Sequence, residues 1–200
     1  PGADDNGSGI AALLALARLF SQKSLPCTVR FAAFVNEEPP FFWTKKMGSY
    51  VYAERCRRRN EQIIAMLSLE CLGYYSDEKN SQHYLFPLGF FYPAQGDFIA
   101  FVGNLSSFGL VRDFTEAFRS AAQFPSEGGS FPWILPGVFW SDHWPFWKMG
   151  YHALMVTDTA LFRNQHYHTE EDRPETLDFE RMARVVAGLE KVIAKLAGAE

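Results

Sequence analysis

Cys27-Thr-Val-Arg-Phe-Ala-Ala-Phe-Val35, followed at once by Asn36-Glu37-Glu38, is the stretch that decides the fold class of this 200-residue chain. The run is rich in β-branched and aromatic residues, so it predicts a largely buried strand that ends before the acidic residues. Residues 10–20, on its N-terminal side, are rich in helix formers, and residues 48–59, on its C-terminal side, also have a helical pattern. We expect Ser8 to cap the first of these helices.

The alternation of strands and helices continues to the end of the chain. Residues 63–69, 96–103 and 153–156 are predicted to be strands, whereas residues 108–122 and 177–196 have the spacing of amphipathic helices. No linker and no internal repeat divide the sequence. Strands that alternate with helices favour an α/β fold with a mostly parallel sheet.

Composition and charge exclude several classes of protein. A chain that is 48% apolar and 21% charged is typical of a globular domain, which excludes a disordered protein. Its best apolar run, residues 10–17, is too short for a membrane span. A net charge of −4 without a basic stripe argues against nucleic acid as a partner. The three cysteines have no CxxC spacing, so we expect free or buried thiols rather than a thiol zinc site.

Acidic and imidazole side chains recur at the ends of the predicted elements. They are Glu37 and Glu38 after the first strand, Glu70 after the second, Asp4 and Asp5 before the first helix, and His166 and His168 after the last strand. Reactive groups gather at the carboxyl edge of a parallel sheet. Packed carboxylates repel one another unless a cation neutralises them, and carboxylate with imidazole is a ligand set that zinc accepts, with manganese or cobalt as substitutes. The pattern therefore predicts a metal site.

Five short motifs carry a family resemblance. They are Pro1-Gly-Ala-Asp-Asp-Asn-Gly-Ser-Gly9, Asn36-Glu-Glu38, Leu69-Glu70, Ser141-Asp-His143 and Tyr167-His-Thr-Glu-Glu-Asp172. In this order and spacing the chain resembles the co-catalytic zinc aminopeptidases, a metallopeptidase family that also includes glutamate carboxypeptidases and glutaminyl cyclases. The resemblance implies a three-layer α/β/α exopeptidase fold with a mostly parallel mixed sheet. It also implies that residues 1–200 are a single catalytic domain that lacks its N-terminal part.

The resemblance assigns four metal ligands. It makes Asp5 the carboxylate that bridges two zinc ions, with a cis peptide bond after it. Glu38 and His168 would complete one zinc site, and Glu70 would serve the other. His166 is interpreted as a loop histidine or as one that contacts a metal ligand without binding the metal.

Other residues of the motifs would act beside the metals. Glu37 resembles the general base that takes a proton from the zinc-activated water and passes it to the leaving amine. Asp142 and His143 match a segment that lines the site, where an Asp can orient a histidine ligand, and a purely structural role for the pair is equally open. Tyr167 would be a packed residue or an oxyanion donor. Asp172 is expected to shape the loop behind His168.

One departure from the family pattern concerns the second zinc. Relatives carry a His-x-Asp motif upstream of the first loop, and its His is a zinc ligand. Without it the second site keeps only Asp5 and Glu70, so we expect one well-bound zinc ion at most, and weak peptidase activity. The strand that leads to that motif would also be missing. A sheet edge would then be exposed, through which a homo-oligomer could form.

Three functions remain open at this point. The leading prediction is a zinc exopeptidase, most simply an aminopeptidase that acts on a peptide or small amide. A glutaminyl cyclase-like aminoacyltransferase and a non-catalytic domain with the peptidase fold are the alternatives. Trp133, Trp140, Trp144 and Trp147 are expected in the core or in an apolar specificity pocket, and Arg163 could instead meet a substrate carboxylate. The resemblance favours a secreted or periplasmic location, although the sequence itself leaves the compartment open.

Overall fold

A four-stranded mixed sheet forms the centre of the computed structural model, which describes residues 1–132 and 134–199. Its strands are β1 (Met66–Leu69), β2 (Ile99–Asn104), β3 (Ser126–Phe131) and β4 (Ala153–Thr157). They lie in the order β1-β4-β2-β3. The β1–β4 and β2–β3 pairs are parallel and the β2–β4 pair is antiparallel. The predicted mostly parallel α/β fold is confirmed.

Helices cover both faces of this sheet. They are α1 (Gly9–Phe20), α2 (Gly48–Arg58), α3 (Phe108–Ala122), α4 (Trp144–Lys148), α5 (Ala160–Arg163) and α6 (Phe179–Leu196). On one face α6 packs against both α1 and α3, while α2 packs against α4 on the other. None of the helices in the described ranges is long and apolar enough to cross a membrane.

Two apolar clusters hold the layers together. The larger one joins strands β2 and β4 to α1, α3 and α6, and in it Phe101 of β2 packs edge to face on Phe114 and Phe118 of α3, with ring centroids 5.0 Å apart. The smaller one joins α2, α4 and the opposite face of β4. Apolar burial on both faces explains why β4 is a continuous apolar run rather than an alternating one.

Most predicted elements are present with small changes at their ends. Helix α3 has the predicted bounds, and α6 begins two residues late because the Asp178 side chain accepts a hydrogen bond from Arg181 N (2.9 Å). Strand β3 was not predicted, because its sequence Ser-Glu-Gly-Gly-Ser-Phe has a low β propensity. Gly128 suits this strand because a Cβ there would lie 2.3 Å from Thr115 Oγ1 of α3.

The prediction of a largely buried strand at residues 27–35 is wrong, because the segment forms no strand and its residues are exposed or half-buried. Within the described chain the backbone of this segment is hydrogen-bonded only at its ends, through Cys27 N to Ala197 O (3.1 Å) and Gly48 N to Val35 O (2.9 Å). A groove of about 860 Å³ lies between this segment and β1. A strand needs a neighbour at about 4.8 Å to form a ladder. The segment has none in the described residues, so β1 is the edge of the sheet.

Candidate metal centre

The turn Ala3–Ser8, which precedes α1, carries Asp5 into the site. Asp172 fixes this turn, because its Oδ1 accepts a hydrogen bond from Asp4 N (2.8 Å) and its Oδ2 one from Asp5 N (3.1 Å). The peptide bond after Asp5 is cis, as the resemblance implied. Asp172 N also donates to Thr169 O (3.3 Å), so this residue ties the Asp5 loop to the loop of His168.

The prediction that Ser8 caps α1 is wrong. Ser8 Oγ donates to Asp4 O (2.7 Å) and accepts a hydrogen bond from Leu72 N (2.8 Å), which draws the hydroxyl away from the helix. Instead the Asn6 side chain accepts a hydrogen bond from Gly9 N, the first amide of α1 (3.2 Å). An Asn three residues ahead of a helical amide can satisfy it in this way.

Asp5, Glu38 and His168 form a first group of possible metal ligands. One ligand atom of each lies within 4.8 Å of the others. His168 Nε2 is 2.9 Å from Asp5 Oδ2 and 3.8 Å from Glu38 Oε1. The Tyr167 ring is stacked on the imidazole, with centroids 4.0 Å apart, and so holds its orientation. Two carboxylates and one imidazole around a common point fit a zinc ion.

Asp5 also belongs to a second group, with Glu70 and Cys71, whose ligand atoms again lie within 4.8 Å of one another. Glu70 follows β1 directly, and its carboxylate accepts a short hydrogen bond from the Ser141 hydroxyl. Ser141 in turn is 2.7 Å from Ser68 Oγ of β1. The first serine of the predicted Ser-Asp-His motif thus orients a predicted ligand.

The buried carboxylates of the site indicate that a cation binds there. Burial, followed by the nearby charges of Asp142 and Glu38, raises the pKa of Glu37 to about 8. Burial and the Glu38 charge raise the pKa of Asp5 to about 6, and burial raises that of Glu70 well above its usual value. In the part of the chain that the structure describes, neither Glu37 nor Glu70 forms a salt bridge with a lysine or arginine. A bound divalent ion would stabilise the ionised carboxylates.

The two residues of the Asp142-His143 pair have different surroundings in the structure. Asp142 lies close enough to raise the pKa of Glu37, and its Oδ1 is buried without a hydrogen-bond partner among the described residues. His143 is fully buried, its Nε2 is 2.8 Å from Val138 O, and burial lowers its pKa to about 4. Its ring packs edge to face on Trp147, with centroids 4.4 Å apart. His143 is therefore a neutral packing residue.

An apolar cavity of about 120 Å³ adjoins the second ligand group, since Glu70, Cys71 and Tyr167 form part of its wall. The rest of its wall is mainly aromatic and aliphatic, and it includes Trp140 and residues 84, 85, 88 and 92 of a loop that sequence reasoning did not single out. The density of aromatic residues in that loop was the available signal. Trp133 lies outside the described residues.

Arg163 is turned into the protein. Its Nε donates to Gln82 Oε1 (2.7 Å) and its Nη1 donates to Phe98 O (2.8 Å). The guanidinium also lies over the Phe98 ring, 4.4 Å from the centroid. These contacts fix the loop beside the cavity, so the expectation that Arg163 meets a substrate carboxylate is not supported by its position.

Comparisons with known proteins agree with this geometry. A sequence model described as peptidase family M28 matches residues 1–193. The uncharacterized protein YfbL of Escherichia coli (strain K12) is 40% identical over 190 residues, which are 94% of this chain and 58% of that protein. Leucine aminopeptidase 1 of Ajellomyces dermatitidis is 28% identical over 203 residues, which cover 94% of this chain and 46% of that enzyme.

A solved structure shows the same fold. The zinc aminopeptidase BSAP from Bacillus subtilis superimposes with a TM-score of 0.72 at 23% identity, and the match covers 100% of this chain and 44% of that one. The chain thus spans about half the length of the curated relatives and the solved structure that it matches.

Proposed function

Because the chain belongs to peptidase family M28, we propose that it forms the catalytic core of a zinc-dependent exopeptidase, most simply an aminopeptidase. The observation that carries this proposal is the position of Asp5 between two ligand groups, Glu38 with His168 on one side and Glu70 on the other. We also propose that residues 1–200 act as a single catalytic domain. Peptides and small amides are its proposed substrates.

Zinc bound to Asp5, Glu38 and His168 would polarise the scissile carbonyl and lower the pKa of the attacking water. Glu37 is adjacent to the ligand Glu38 but is not a member of either ligand group. Its proposed role is to accept the proton of the attacking water and to donate that proton to the leaving amine. Burial raises the pKa of Glu37 to about 8, which supports this role because a base with a pKa near neutral pH can both accept and release a proton.

The cavity beside Glu70 supports a preference for an apolar side chain next to the scissile bond. Its wall is almost entirely apolar. Transfer of an apolar side chain from water to such a wall is favourable by roughly 25 cal/mol per Å² of buried area. A charged side chain would find no partner on most of this wall.

Replacement of Glu37 tests the proposed role. In zinc-loaded protein incubated with an amino-acid anilide, Glu37→Gln should lower the rate of hydrolysis by about 10²-fold or more while the bound zinc is unchanged, because only the proton acceptor is lost. Glu38→Gln should lower the zinc content as well. The exposed Glu171→Gln is the matched control and should change neither quantity. A Glu37→Gln variant with full activity would overturn the assignment.

The same assays separate the two alternatives. Formation of pyroglutamate from a peptide with N-terminal Gln, without hydrolysis of other residues, would favour a glutaminyl cyclase-like aminoacyltransferase. Absence of zinc binding at micromolar metal would favour a non-catalytic domain.

A further inference from the structure

We propose that the Cys71 thiol is a protein ligand of the second metal position, together with Asp5 and Glu70. The inference rests on the proposed function, because Asp5 belongs both to this position and to the proposed zinc site with Glu38 and His168. Asp5 and Glu70 are the ligands that the motifs assign to this position, and Cys71 lies in the same group. A thiolate combined with carboxylates is a ligand set that zinc accepts.

The distances fit a mixed sulfur and oxygen site. Cys71 Sγ lies 3.8 Å from Glu70 Oε1. The sulfur, one carboxylate oxygen of Glu70 and one of Asp5 lie within 4.8 Å of one another. Tetrahedral zinc with bonds of about 2.3 Å to sulfur and 2.0–2.2 Å to oxygen separates two such ligands by about 3.5 to 3.7 Å. The sulfur and the Glu70 oxygen therefore already lie close to this separation.

The backbone holds the sulfur in this place. Cys71 has a left-handed conformation with φ +54°, which is uncommon for a residue other than glycine or asparagine. Its N donates to Asn6 Oδ1 (3.2 Å), and its O accepts a hydrogen bond from Asp158 N (2.7 Å). The side chain is 2% exposed. The amide of Cys71 is thus bonded to the residue that follows Asp5, which couples the positions of the two ligands.

Binding of the metal by Cys71 requires only that the thiol lose its proton. The S–H bond breaks, a bond from sulfur to the metal forms, and the proton leaves to water. A thiolate favours zinc, cobalt and cadmium over magnesium or manganese. The sequence predicted free or buried thiols rather than a thiol zinc site, because the cysteines have no CxxC spacing. The proposal departs from that prediction because the fold places one sulfur beside two carboxylates.

Cadmium titration of the full chain tests the proposal, because thiolate ligation produces an ultraviolet charge-transfer band that oxygen and nitrogen ligands do not produce. The band should develop in the wild type and in a Cys27→Ser/Cys56→Ser variant, whose only cysteine is Cys71. It should be lost in Cys71→Ser, together with one of two bound cadmium ions. Loss of the band in the Cys27→Ser/Cys56→Ser variant would overturn the proposal, as would a wild type without the band.

A second measurement needs no variant. X-ray absorption of the wild type loaded with two equivalents of zinc should show a sulfur neighbour at about 2.3 Å. A shell of oxygen and nitrogen only, or failure to bind a second ion, would overturn the proposal. His168→Ala separates this inference from the proposed function: it should abolish hydrolysis but leave the charge-transfer band. If these experiments show that Cys71 is not a ligand, the proposed zinc site of Asp5, Glu38 and His168 and the proposed role of Glu37 still stand.

Discussion

Asp5 is the side chain on which both ligand groups depend, since it is a member of each. Its own conformation depends on Asp172, which accepts hydrogen bonds from the main-chain N–H groups of Asp4 and Asp5. Outer-sphere contacts of this kind orient metal ligands and tune their affinity. At the scale of single residues, therefore, Asp172 matters because it positions the shared ligand. It is not itself a member of either ligand group.

The substitution Asp172→Asn tests this role. The amide group of the new side chain offers one acceptor oxygen where the carboxylate offers two, so one of the two N–H groups loses its partner and the Asp5 loop loosens. We expect zinc affinity to fall by about 10- to 100-fold. Competition with a chromophoric chelator measures the affinity.

The neighbouring Glu171 provides the matched control for that experiment. It is exposed, and its carboxylate pairs with Arg173 at 3.3 Å. Glu171→Gln should leave zinc affinity unchanged. Equal affinities for both variants and the wild type would show that Asp172 does not position Asp5.

Among the elements, the pair α3 and α6 forms the most extensive helix contact on the sheet. Gly188 makes this close approach possible, because a Cβ at that position would lie 2.5 Å from Phe118 Cε2 and 2.6 Å from Ala122 Cβ. Both neighbours belong to α3, and Phe118 is fully buried under the sheet. The glycine therefore sets the distance between two helices.

We expect Gly188→Ala to lower the free energy of unfolding by about 1 to 3 kcal/mol, because the added methyl group overpacks the interface. Gly109→Ala, on the exposed side of α3, is the matched control: a Cβ there meets nothing within 4 Å. It should leave stability unchanged or raise it by up to about 1 kcal/mol. Urea denaturation measures both values, and similar stabilities for the two variants would contradict the packing argument.

At the scale of the whole molecule, the sheet ends at β1, beside the groove of about 860 Å³. The groove is lined by the extended segment 28–34 and by residues 63–69, including Ile64, which is 63% exposed. An exposed edge with apolar side chains is a template for pairing with another chain. The homo-oligomer expected from the sequence therefore remains a prediction with a defined location.

Ile64→Lys tests that location, because a charged side chain at an edge opposes pairing. Sedimentation velocity should show association of the wild type that increases with concentration and is weakened by Ile64→Lys. Phe90→Lys is the control, since Phe90 is 79% exposed but is not part of the groove wall. A wild type that stays monomeric at all concentrations would refute self-association, and equal effects of the two variants would refute its location at β1.

The sequence predicted the residues of the candidate site more completely than the packing around them. Glu38, His168 and Glu70 were assigned from their motifs, and the structure brings each of them to Asp5. Ser8, by contrast, was given a local role as a helix cap, but a partner 64 residues away takes its hydroxyl. Local patterns cannot reveal contacts between residues that are distant in the chain.

The sequence by itself determined the fold class and the set of acidic and imidazole groups, because hydrophobic periodicity and motif spacing are properties of the linear chain. Tertiary structure alone decided three further matters. It placed Cys71 Sγ beside Glu70 and Asp5, it buried His143 against Trp147, and it left residues 28–34 without a strand partner among the described residues. Each depends on which segments meet in space, and neither propensity nor spacing encodes that for a single residue.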